Sequence, residues 1–174
     1  MVRTENKRIT PNNALEPDKA SGMFITSLDR WIERVTSFNL SDPVPEEVST
    51  LFETAQGSAV YGFYFYPLLS LGGEHLHRAL ECAVSHRCGA LGGPTKGYAK
   101  QLDWLRDRGI LTCERHAKWR PLRDLRNEAA HPKFQPLYPP PMFVALLADI
   151  TKEINALFET APGDTSCDAP SVLT

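Results

Sequence analysis

The chain predicts an all-α fold, an antiparallel helical bundle, and three observations carry that prediction. Apolar residues recur at helical spacing in several separate segments, as in Phe143, Leu146, Leu147, Ile150, Ile154 and Leu157. No strand hairpin, repeat or heptad run is present. Pro and Gly stand mostly between the periodic segments, at Pro43, Gly89 to Gly97, Pro132 and Pro139 to Pro141. With 174 residues, 42% hydrophobic and 23% charged, the chain has the size and composition of one globular core with tails.

Taken in order, residues 1–22 are polar and poor in apolar residues and read as a disordered leader. A first helix is expected over 24–38, with Phe24, Leu28, Trp31, Ile32 and Val35 on one face. Ser41-Asp42-Pro43 punctuates the chain. A second helix starts near Pro45-Glu46-Glu47, where acids and proline suit a first turn, and Gly57 is expected to interrupt it. The apolar segment 61–84 reads as one long helix kinked at Pro67, because proline argues against a central strand. Gly72-Gly73 would weaken that helix unless another helix approaches closely there. A Gly/Pro loop at 89–97 leads to a short helix over 98–108 with Leu102 and Leu105 inward and Gly109 as its stop. Ile110-Leu111 packs after the stop. A helix over 114–130 is ended by Pro132. Tyr138-Pro139-Pro140-Pro141 is a stiff connector to a last helix over 142–158. The domain is thus expected over 23–159, with a disordered tail over 160–174.

The net charge is −2, which excludes a chain-wide basic surface for nucleic acid and leaves only local clustering. No apolar run approaches the roughly 18 residues that span a bilayer. The polar start, without the apolar stretch of a signal peptide, makes a cytoplasmic, membrane-free protein the expectation. Cys82, Cys88, Cys113 and Cys167 form no CxxC pair and read as reduced thiols. His86, Cys88, Cys113 and His116 are a four-ligand zinc set only if they meet in space, and packing thiols are the simpler reading. Gly92-Gly93-Pro94-Thr95-Lys96 superficially resembles a phosphate loop but lacks the full spacing and a preceding strand. No cofactor and no metal is called for.

The informative helix is the one expected over 114–130. At roughly 100° per residue, Trp119, Leu122, Leu125 and Ala129 share an apolar arc, while Arg120, Arg123, Asn127 and His131 lie on the polar side. Arg126 falls inside the apolar arc. A guanidinium there must be paired or must point into a cleft, because an unpaired buried charge is costly. His131 stands at the helix end, where the macrodipole favours imidazolium. A fixed cation beside a proton carrier suits metal-free cleavage of RNA. The histidine moves the proton of a 2′-hydroxyl or of the leaving 5′-oxygen, and the arginine holds the phosphate. Arg115, Lys118, Arg120 and Arg123, against Asp124 alone in that stretch, are a local basic excess that would position an RNA backbone or serve as a solvated helix face. The corresponding bland reading of Arg126 and His131 is an ion pair with an acid such as Glu74 and a helix cap.

Arg126-Asn127-(three residues)-His131, late in a helical bundle, resembles the Arg-polar-x3-His motif of HEPN domains. Trp119…Leu122-Arg123-Asp124-Leu125 fits the approach to that motif, and the helix over 61–84 fits the family's other core helix. Tyr64-Phe65-Tyr66-Pro67-Leu68 to Leu80-Glu81 resembles an uncharacterised bacterial branch, so the resemblance spans about residues 60–158. It implies a homodimer with two motifs facing across a cleft, and metal-independent endoribonuclease activity as a toxin or a phage-defence effector. Arg126, Asn127 and His131 would be catalytic, and Lys118, Arg120, Arg123 and Lys133 would contact RNA. Glu74 would be the supporting polar residue on the other core helix, ahead of His75 and His77. The implied partners are RNA and a separate antitoxin or nucleotidyltransferase. Some members keep the fold without activity, so a non-catalytic nucleotide- or protein-binding module is the alternative.

Overall fold

A computed structural model describes residues 7–121 and 138–159. The described residues form seven helices and no strand: α1 (Lys19–Gly22), α2 (Leu28–Thr36), α3 (Glu46–Tyr61), α4 (Pro67–Ala90), α5 (Tyr98–Asp107), α6 (Cys113–Trp119) and α7 (Pro140–Glu159). None of them is long and apolar enough to cross a membrane.

Helix α4 is the axis of the bundle. It packs along α3, α7 and α5, while α2 lies on α3 and α6 on α5. Its Leu69, Leu76, Ala79, Leu80, Ala83 and Val84 are buried together with Phe52, Ala55 and Ala59 of α3 and with Phe143, Leu147, Ile150, Ile154 and Leu157 of α7. Each large side chain so buried contributes about 1.5–3 kcal/mol of transfer free energy. The α7 stripe is therefore the one its spacing predicts, with Leu146 at its half-buried edge.

Local chemistry sets the ends. Ser27 caps α2 by accepting from the Arg30 N–H, and Thr112 caps α6 by accepting from the Arg115 N–H. Gly109 takes φ +68°, a conformation that L side chains rarely adopt. It closes α5 while the Ile110 N–H donates to Leu105 O at 3.0 Å. Ile110 and Leu111 then turn into the core. Glu46 and Glu47 open α3 as expected.

Four expectations are corrected. Pro67 does not kink a continuous helix: α3 ends at Tyr61, a short turn follows, and Pro67 occupies the first turn of α4, where its missing N–H leaves no bond unmade. Gly57 does not interrupt α3, which runs unbroken from Glu46 to Tyr61; one glycine costs a helix about 1 kcal/mol, which the packing of α3 offsets. The first long helix begins at Leu28, since Phe24 is outside the capped turn and exposed. The leader is part of the fold in its described portion. Asp18 is buried, its carboxylate accepts from the N–H groups of Ala20 and Tyr66, and its own N–H donates to Phe63 O. Ser21 is also buried and donates to Gly62 O. Low hydrophobicity over 1–22 hides this anchorage because it is made by polar side chains. The expected tail over 160–174 lies outside the described residues.

Gly72 and Gly73 do mark a close approach. A Cβ on Gly72 would stand 2.9 Å from Phe143 Cε2 of α7 and 3.0 Å from Ala55 O of α3. A Cβ on Gly73 would stand 2.7 Å from Tyr138 Cε2. The two glycines let α3, α4 and the start of α7 meet.

Candidate functional site

Helix α6 ends at Trp119 with Arg120 as its C-cap, just before Pro121, so the expected helix over 114–130 does not run unbroken; helices usually end at or before the residue preceding a proline. Trp119 is fully buried, and the Arg115 guanidinium stacks over its ring, 4.9 Å from the centroid. Arg115 also donates through Nε to the Glu153 carboxylate and through Nη2 to the Glu153 backbone oxygen. Lys118 Nζ donates to Asp149 at 2.6 Å and to Glu153 at 3.2 Å. These contacts bolt α6 to α7. On the other side of α6, His116 Nε2 lies 2.7 Å from Asp103 Oδ1 of α5, and this hydrogen bond is the chief reason the Asp103 carboxyl is held below its usual range.

Of the residues expected to contact RNA, Lys118 is therefore engaged by two acids of its own fold, and Arg120 is exposed at the end of α6. Arg123, Arg126, Asn127, His131 and Lys133 lie outside the described residues.

The Tyr138 ring covers Gly73 on α4. Glu74 follows Gly73 and is half-buried, and its charge, second to burial, raises the Tyr138 phenol above its ordinary pKa. One turn further along α4, His77 is buried, with Nε2 3.4 Å from the Tyr138 hydroxyl. Its Nδ1 is buried without a partner among the described residues. Burial lowers the His77 pKa, which favours the neutral imidazole. His75 turns away, its Nδ1 bonded to Leu71 O of its own helix at 3.0 Å.

The structure thus gathers Glu74, His77 and Tyr138 on one face of α4. In the sequence Glu74 ranks ahead of His77, and Tyr138 reads only as part of a stiff connector. The available signal was Gly73: a glycine inside a helix, one turn before His77, marks a face that a neighbour covers.

The hypothetical zinc set does not assemble. His86 faces Glu47 at 3.7 Å, Cys88 is buried and donates to Gln101 O, and His116 is bound to Asp103. Cys113 is disulfide-bonded, which corrects the expectation that all four thiols are reduced; Cys82 and Cys88 are free. Among the described residues no group of three or more His, Cys, Asp or Glu could hold a metal ion. No family model, curated protein or solved structure matches this chain.

Proposed function

We propose that this chain is a metal-independent endoribonuclease of the type its motif resembles, working as a homodimer on RNA, as a toxin or phage-defence effector. Arg126 stabilises the phosphate, His131 moves the proton, and Asn127 orients one or the other. The 2′-hydroxyl oxygen attacks phosphorus as its proton leaves, and the 5′-oxygen departs with a proton returned, so the product carries a 2′,3′-cyclic phosphate. One observation carries this reading: the segment holding Arg126, Asn127 and His131 is bracketed by α6, fixed to α7, and by Tyr138, seated beside Glu74 and His77 on the core helix. Glu74, the supporting residue the resemblance implies, stands at that bracket. With Lys118 engaged by Asp149 and Glu153, the RNA backbone falls to Arg120, Arg123 and Lys133.

The test is cleavage of a labelled RNA by the purified full chain in EDTA. Arg126→Ala and His131→Ala are each expected to abolish cleavage while the circular dichroism spectrum is kept. Cleavage unchanged in both variants overturns the proposal. RNA or protein bound without turnover, by a folded wild type, would assign the bundle to the non-catalytic alternative. A separate antitoxin or nucleotidyltransferase would appear as a protein that suppresses the activity on co-expression. A cytoplasmic location belongs to the same proposal. The bonded Cys113 weighs against it, because cytosolic thiols are kept reduced. Alkylation of Cys113 in fresh lysate without added reductant supports it, and alkylation only after reduction refutes it.

A further inference from the structure

Away from the motif, α4, α5 and the loop between them line an open cavity of about 690 Å³. Arg78 enters it from α4, Lys96 from the loop and Lys100 from α5. All three are exposed, and none has an ion-pair or hydrogen-bond partner among the described residues. Three cations brought to one concavity repel one another and raise the local potential for an anion. Glu81 is the single acid in the lining.

The cavity is held in shape by buried groups. Gln101 is 4% exposed, and its Nε2 donates to Pro94 O of the loop at 3.1 Å and to Ser85 Oγ of α4 at 3.3 Å. Gly93 lies flat under the Trp104 ring, where a Cβ would stand 2.8 Å from Cε3. The loop that carries Lys96 is therefore fixed to both helices by the protein's own contacts. Leu51, Ala99 and the Tyr98 ring give the same cavity an apolar wall. Burial, with Glu81 next, pushes the Tyr98 phenol up, so it stays a neutral donor. A volume in this range suits a small organic ligand held by a few polar groups.

We propose that this cavity binds an organic phosphate of nucleotide size, its phosphoryl groups on Arg78, Lys96 and Lys100 and its apolar body on the Leu51–Ala99 wall. The site is separate from Arg126 and His131, and its occupancy does not depend on nuclease activity.

Calorimetric titration of the full chain tests this with adenosine diphosphate, adenosine, inorganic phosphate and a 5′-phosphorylated oligoribonucleotide. Adenosine diphosphate is expected to bind saturably below about 1 mM, with adenosine and inorganic phosphate each at least about tenfold weaker. Lys96→Ala/Lys100→Ala should weaken it about tenfold or more with an unchanged circular dichroism spectrum, and Lys96→Arg/Lys100→Arg should retain it. Arg126→Ala/His131→Ala should bind as the wild type does, which keeps this result apart from the nuclease reading. No saturable binding up to about 5 mM, equal binding of adenosine, or no effect of the double alanine variant overturns the proposal. Inorganic phosphate binding as tightly as adenosine diphosphate removes the organic body from it. An oligoribonucleotide that displaces adenosine diphosphate at lower concentration than adenosine diphosphate itself also overturns it, by making the cavity part of an RNA track.

Discussion

Substituting Gly72 by alanine reverses the usual effect of that change in a helix. In an exposed helix interior alanine is better than glycine by about 1 kcal/mol. At position 72 the added Cβ would meet Phe143 Cε2 at 2.9 Å and Ala55 O at 3.0 Å, inside the roughly 3.5–4.0 Å of comfortable contact. Neither neighbour can step aside, since Phe143 and Ala55 are both fully buried. Helices α3 or α7 must move by several tenths of an ångström, and overpacking of this kind costs about 1–3 kcal/mol. Set against the propensity gain, the net expectation is a loss of up to about 2 kcal/mol. At this chain length each kcal/mol lowers Tm by roughly 2–4 °C. Gly57→Ala is the control: it lies in α3 with nothing within 4 Å of the new Cβ, so it should gain up to about 1 kcal/mol. Urea unfolding followed by far-ultraviolet circular dichroism gives both values if the slopes agree with the wild type. A Gly72→Ala midpoint at or above wild type, or two variants that shift the same way, would refute the close packing of α3, α4 and α7.

Two further predictions concern the leader and pH. Asp18→Ala strands the Tyr66 N–H in a buried position and removes the cap of α1, so it should cost about 1–3 kcal/mol in the same assay, whereas a leader outside the fold would show no change. The carboxyl of Asp103 is held low chiefly by His116, so the unfolded chain takes up that proton at a higher pH than the folded one. Its contribution is then full above about pH 4 and is lost as pH falls through the lowered folded value. The Asp103 side chain is 38% exposed, which limits the effect to under about 1 kcal/mol. Asp103→Asn should flatten the urea-midpoint profile between roughly pH 5 and 3, and a profile parallel to wild type would show that the pair carries no such coupling.

Much of the site was legible in the sequence only as residue types. Glu74 is legible as a polar residue on the core helix, but its influence on the Tyr138 phenol is not. Lys118 looked like an RNA contact because its partners, Asp149 and Glu153, are 31 and 35 residues away and lie on another helix. Nothing near Lys118 in the chain announces them. Tyr138 and His77, 61 residues apart, meet only because Gly73 lets the connector lie down on α4. Lys96 reads in the sequence only as the end of a phosphate-loop-like run, and the fold alone brings it to the same cavity as Arg78 and Lys100 of two other elements.

The helical character of this chain is written locally. Apolar residues three and four apart and a stop at Gly109 act within one or two turns, so the amino-acid order is enough to place them, whereas the cap at Ser27 shows only in the structure. Partnership is not local. Which helix comes down on Gly72, which acids take up Lys118, and whether Asp18 docks under Tyr66 depend on contacts between segments far apart in the chain, whose free energies are realised only when the bundle closes. Pro67 shows the boundary between the two: its ring forbids a mid-helix N–H bond wherever it sits, but only packing of the turn before it chose a helix start over a kink.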